Sequence, residues 1–176
     1  MRKVIRKGFH RPIQYPACFN PCGVILTDKT YTMNWKVRFN KDCAYDLNNS
    51  KQSDWNKLFG FCFGARGIHK NSIRFGWRYS KEKDCIELCT IEYRNGIVTR
   101  EYLKHRDVPL GQWVDLAIKF KMNGYGKIKY SFIHWGKETS ESFVEDTGAL
   151  MYFGCGLYFG GTSRSPHKMT IEVNKL

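Results

Sequence analysis

The chain has no uninterrupted apolar run long enough to cross a bilayer, and its first residues, MRKVIRKGFHRPIQYP, are broken by charge and proline before a signal-like stretch develops. Neither a membrane span nor the usual export signal is expected, which places synthesis in the cytoplasm. Acidic residues are scarce: 16 Asp and Glu stand against 29 Lys and Arg, leaving a formal charge of +13. Such an excess draws in polyanions without choosing among nucleic acid, acidic glycan and acidic protein surface. Helical periodicity is nearly missing, with room for a short helical turn only at 45–58 and 106–112, and no internal repeat argues for a propeller or solenoid. A zinc site lacks its second half. Cys18 and Cys22 share a turn-rich segment, but no further Cys or His pair follows at ribbon spacing. Cys85 and Cys89 lie in a predicted strand, where four residues at about 3.3 Å each separate them by roughly 13 Å, too far for a bridge. Seven cysteines, an odd total, fit reduced thiols rather than a disulfide scaffold.

What is present is alternation. In YTMNWKVRFN, residues 31–40, Tyr31, Met33, Trp35, Val37 and Phe39 alternate with Thr32, Asn34, Lys36, Arg38 and Asn40. A period of two describes a strand with one dry and one wet face. The rhythm returns in SIRFGWRYS (72–80), WVDLAIKFKM (113–122), GKIKYSFIHW (126–135) and KMTIEVNKL (168–176), and aromatic, glycine-rich runs occupy 56–65 and 151–161. CIELCTIEY (85–93) and IVTREYLK (97–104) flank Asn95-Gly96, a pair able to supply the positive backbone angles of a tight hairpin. Asn123-Gly124-Tyr125 marks a second one. At 176 residues, one core is expected. The predicted organisation is an extended basic N-terminal arm over 1–30, shaped by Pro12, Pro16 and Pro21, followed by a single domain over 31–176. Many short strands joined by tight turns predict an all-β, two-sheet antiparallel β-sandwich or a closed barrel.

The segment GLYFGGTSRSPHKMTIEV, residues 156–173, narrows the choice. A glycine-rich strand, a Gly160-Gly161 turn, the Pro166-His167 pair and a final amphipathic strand resemble the closing segment of concanavalin A-like jelly rolls. That group includes legume lectins, laminin G-like modules, glucanases and some polysaccharide lyases. The resemblance implies the jelly-roll sandwich and is far less informative about activity, because one fold hosts unrelated functions. His167 is expected to cap its turn by hydrogen bonding.

Each chemistry implied by the resemblance meets a missing piece. Retaining glucanases need two carboxylates on one strand face, one to attack and one to donate a proton, whereas Glu87 and Glu92 have opposite parity. Sandwich lyases gather an Arg, a Gln or Asn, a His and a Tyr on one sheet face, where cations hold the substrate carboxylate and Tyr or His moves protons. Arg74, Arg78, His134 and Tyr158 are the candidates here, but the R-x-E-x-R and Q-I-H blocks are absent, FIHW being the nearest string. DLNNSKQSD (46–54) offers Asp46, Asn48 and Asp54 as oxygen ligands, a composition that loops have anyway. Nucleic-acid binding by Arg74, Arg78, Lys119, Lys121, Lys127 and Lys129 would be electrostatic only, since the aromatics fall on the opposite parity.

The sequence therefore leads to a non-catalytic binding or structural subunit, of the kind found as an accessory protein of a phage particle or other large assembly. A glycan-binding lectin-like module, or a polysaccharide lyase acting on an acidic glycan, is the alternative. Expected polyanion contacts are Arg74, Arg78, Lys119, Lys121, His134, Tyr158 and His167. The arm residues Arg2, Lys3, Arg6, Lys7 and Arg11 would meet an acidic surface of a neighbouring subunit. No cofactor, metal, specific nucleic acid or membrane span is expected.

Overall fold

A computed structural model describes residues 2–8, 22–64, 69–123, 125, 127–138, 142–144, 151–157, 159, 160 and 163–176. Two antiparallel sheets account for nearly all of them. The larger sheet contains β1 (Arg2–Ile5), β3 (Thr30–Phe39), β8 (Trp113–Met122), β9 (Ile128–His134), β10 (Lys137–Glu138), β11 (Ser142–Val144) and β13 (Met169–Lys175). Its order is β1-β13-β3-β8-β9-β10, with β11 also paired to β9. The second sheet contains β2 (Cys22–Val24), β4 (Asn56–Phe63), β5 (Ser72–Ser80), β6 (Cys85–Arg94), β7 (Ile97–Pro109) and β12 (Met151–Cys155), ordered β2-β12-β4-β5-β6-β7. This is a jelly-roll sandwich, and no described helix is long and apolar enough to cross a membrane.

Alternation builds the core. On β3, Met33, Trp35, Val37 and Phe39 are buried, and Trp35 stacks on Phe59 of the opposite sheet with ring centroids 3.7 Å apart. Ile73, Phe75 and Trp77 of β5, all wholly buried, meet them from the opposite sheet, while Leu116, Ile118 and Phe120 of β8 extend the same inner face beside β3. Burying a side chain of this size contributes about 1.5–3 kcal/mol, so the aromatic stack between the sheets dominates the drive to fold. The Asn95-Gly96 hairpin forms as expected, with φ of 49° and 84° at the two positions. Asn123 organises the other turn: its side-chain oxygen accepts from the backbone N–H groups of Tyr125 and Lys127.

One local expectation changes. The region 45–58 supplies a short 3-10 turn over Ser50–Ser53 and another covers Lys41–Cys43, but residues 106–109 belong to β7 rather than to a helical turn. Within the described residues of 1–30, Arg2–Ile5 and Cys22–Val24 are strands of the sandwich. β1 pairs with β13, Arg2 opposite Glu172 and Ile5 opposite Met169, and the Gly8 N–H donates to the Ser165 carbonyl. β2 pairs with β12, and the Tyr31 hydroxyl secures the chain just after β2 by donating to the Val24 carbonyl while accepting from the Leu26 N–H. Arg11, Pro12, Pro16, Cys18, Pro21 and Gly161 lie outside the described residues.

Candidate functional site

Strand parity divides the expected polyanion contacts between opposite exteriors of the molecule. Lys119 and Lys121 project from β8 on the outer side of the seven-stranded sheet, beside Thr30, Ser131 and Lys129. Each is paired with an acid: Lys119 Nζ lies 3.1 Å from Glu138, and Lys121 Nζ lies 3.2 Å from Asp28. Arg74 and Arg78 project from β5 on the outer side of the six-stranded sheet, with Gly76 between them. The remaining candidates join neither group. His134 sits at the end of β9, its ring edge-on to Trp135. His167 places Nε2 2.9 Å from the Asp42 carbonyl oxygen and fastens the turn before β13 to the segment after β3. Tyr158 is outside the described residues.

The outer face of the six-stranded sheet holds a small apolar cluster separate from the main core: Trp55, Cys89 and Ile91, with Tyr93 and Val98 against them. Arg78 is built into it. Its Nε donates to Glu87 at 2.7 Å, its Nη1 donates to the Ser53 carbonyl at 2.9 Å, and its guanidinium lies 4.2 Å from the Trp55 ring. Lys83 bridges Glu87 and Asp107 on the same side. Arg78 is thus a satisfied cation, held for structure.

Arg74 is different, and corrects the expectation of a solvent-facing residue. It is 0% exposed, and none of its three guanidinium nitrogens has a hydrogen-bond partner among the described residues. Its guanidinium carbon lies 5.2 Å from the centre of the Tyr93 ring, whose face carries partial negative charge. The geometry around it is tight. At Gly60, opposite Arg74 on β4, an added Cβ would stand 2.0 Å from the Ile73 carbonyl oxygen and 2.8 Å from Arg74 Cγ. At Gly76 it would meet Cys89 Sγ and Ile91 Cδ1 at 2.6 Å. The two glycines make space for the arginine and for the apolar cluster. Leaving a buried cation without a hydrogen-bonded anion costs several kcal/mol.

Three residue types of the lyase set, Arg, Tyr and His, do occur together, though not where the sequence strings suggested. His69 packs edge-on to Tyr93, with centroids 5.6 Å apart, and Tyr93 carries Arg74. Asn71, buried at the same end, accepts from the Asn95 N–H through its side-chain oxygen. Sequence reading missed His69, Asn71 and Tyr93 because they come from a turn and from β6, and only the pairing of β6 with β5 brings them together. Arg74 and Arg78 flank Gly76 on β5, with no glutamate between them, and the paired strand presents Cys89 opposite Gly76 and Ile91 opposite Arg74. Of the loop candidates for a cation, Asp46 ion-pairs with Lys81 and accepts from the Asn48 N–H, which hold its carboxyl below the usual range. Among the described residues, no three of His, Cys, Asp and Glu gather as metal ligands.

No protein-family model matches the chain, and no curated protein sequence does. Solved structures are similar in fold. The alginate lyase Aly36B shares 16% identity over 99% of this chain and 78% of its own, with a TM-score of 0.67. A double mutant of that enzyme in complex with alginate trisaccharide gives 0.66 at 14% identity, and another in complex with alginate tetrasaccharide gives 0.63 at 15%, with the same coverage. The chain has the concanavalin A-like β-sandwich fold.

Proposed function

We infer that this protein binds an acidic polysaccharide on the outer face of its six-stranded sheet, with a uronate carboxylate as the anion taken by Arg74. The observation that carries this reading is the wholly buried guanidinium with no hydrogen-bond partner among the described residues, on a sheet face lined by Tyr93 and Trp55. A carboxylate satisfies two guanidinium nitrogens at once, and aromatic rings give sugar faces a surface to lie on. The fold likeness to alginate lyases supports the same substrate class. Because Arg74 is fully covered, the ligand reaches it by displacing the side chains over it.

A second reading adds cleavage. Tyr93 and His69, in contact with each other beside Arg74, are groups of the type that remove and return a proton in β-elimination, while Arg74 would stabilise the charge that develops on the carboxylate. Titration calorimetry with oligouronates tests binding, and ultraviolet absorbance of an unsaturated uronate product tests cleavage. Heat without product supports a binding module; product supports a lyase; neither overturns both readings. The accessory role in a phage particle yields first place because β1 and β2, the described ends of the arm, pair with the protein's own sheets.

A further inference from the structure

Two cysteines share the outer face with Arg74. In the pairing of β12 with β4, Phe153 lies opposite Cys62 and Cys155 opposite Gly60, so Cys62 and Cys155 are diagonal neighbours on adjacent strands with the same parity. Gly60 contributes no side chain between them, and Arg74 Cγ fills part of that space from the other flank. The cysteines are only 7% and 5% exposed. Each thiol feels the other, and both feel the positive charge of Arg74. The neighbouring Cys155 side chain, with a smaller contribution from Arg74, draws the Cys62 thiol below its ordinary range; burial, then the neighbouring sulfur, pushes Cys155 well above it. Cys62 is thereby the more readily deprotonated sulfur of the two, and Cys155 holds its proton more tightly. Cys43 shows the contrast: it lies buried beside β13, donates to the Thr170 carbonyl, and is pushed far up by burial and by Asp42.

We propose that Cys62 and Cys155 form a redox couple that sets the charge around Arg74 and so controls how tightly the face holds an acidic ligand. The ligand part rests on the glycan reading; the thiol chemistry does not. In the reduced protein, the Cys62 thiolate, when formed, offers negative charge on the same face as Arg74, whose guanidinium has no hydrogen bond to a carboxylate among the described residues. A low-molecular-weight disulfide is the oxidant. The Cys62 thiolate attacks one of its sulfurs, the small disulfide's S–S bond breaks, and one small thiolate leaves, giving a mixed disulfide on Cys62. Cys155 then releases its proton to solvent and its sulfur attacks the Cys62 sulfur, expelling the second small thiolate. Two protein thiols are oxidised, one small disulfide is reduced, and the electrons balance. The protein disulfide is neutral, so Arg74 no longer has a thiolate competing with an incoming carboxylate. Linkage makes the effect reciprocal: oxidation strengthens acidic-ligand binding, and bound ligand favours the oxidised pair.

The test treats the whole chain with oxidised glutathione, alkylates the remaining thiols under denaturing conditions and maps the peptides by mass spectrometry. The expected product is a Cys62–Cys155 crosslink reversed by dithiothreitol, with alginate tetrasaccharide binding about fivefold or more tighter after oxidation. In C62S and C155S, affinity should no longer respond to the oxidant. Mapping in the unmutated protein decides the first part even where a variant fails to fold. Alkylation of both cysteines after oxidant overturns the proposal, as does a crosslink that leaves affinity unchanged. Tetrasaccharide bound by neither form overturns the glycan reading and the coupling with it, while the crosslink still decides whether the pair is redox-active.

Discussion

The two exteriors of the sandwich are both cationic by sequence and physically unlike each other. On the seven-stranded sheet, Lys119, Lys121 and Arg38 sit beside Glu138, Asp28 and Glu172, within 3.2 Å, and all remain partly in water. Arg38 also lies over the Trp113 ring. Pairs of that sort are screened and contribute little, about 0–1 kcal/mol each. On the six-stranded sheet, Arg78 and Glu87 are similarly matched, yet Arg74, two positions from Gly76, is driven below the surface with no hydrogen bond from its guanidinium to any described residue. A charge count treats these arginines and lysines alike. The local dielectric does not, and it is what separates a solvated coat from a buried cation without a hydrogen-bonded anion.

That contrast can be broken most violently at Gly60. Gly60→Ala forces a methyl group against the Ile73 carbonyl and the Arg74 backbone, and should cost about 3 kcal/mol or more of stability, read as a lower urea midpoint at unchanged slope. Next comes Arg74→Met, which replaces a buried, unsatisfied cation with an apolar chain of similar length. The expected outcome is a gain of about 1–3 kcal/mol, or a rise of several degrees in Tm, together with loss of oligouronate binding. A less stable protein that still binds would end the claim that Arg74 is held for a ligand.

Tyr93→Phe sharpens the question of cleavage. It keeps the ring under Arg74 and removes the hydroxyl, so binding should change by less than about threefold, while any unsaturated product should fall by about 100-fold if that hydroxyl moves the proton. On the opposite sheet, Lys121→Gln should shift stability by less than about 0.5 kcal/mol and leave tetrasaccharide affinity untouched.

The smallest effect belongs to Glu138. The Ser131 hydroxyl first, then Lys119, hold its carboxyl below the usual range. A carboxyl lowered by folding adds stability above its unfolded value, about 4.3, and loses it as pH falls through the folded value. With the side chain 42% exposed, Glu138→Gln should flatten the acid limb of the stability profile by less than about half a kcal/mol.

Much of the architecture was legible from alternation. Trp35 and Trp77 point inward where the period of two put them, Glu87 and Glu92 take opposite faces, and Asn95-Gly96 turns the chain between β6 and β7. The closing segment's likeness to concanavalin A-like sandwiches matches the fold found. The site was much less legible. Arg74 and Lys119 were grouped because both interrupt apolar residues, yet the sheet order puts them on opposite exteriors. His69 and Tyr93 carry no shared motif, since their contact depends on the pairing of β5 with β6, which sets Tyr93 opposite Ser72.

By itself the sequence determined that the chain is all-β, that each strand has a dry side, and that positive charge dominates, because side-chain parity and composition are local properties. Only the tertiary structure decided which strands are neighbours and which cations lose water. Register set Arg74 over Gly60, beside Tyr93 and the Cys62–Cys155 pair. Desolvation depends on everything packed around a group, and no stretch of sequence contains that.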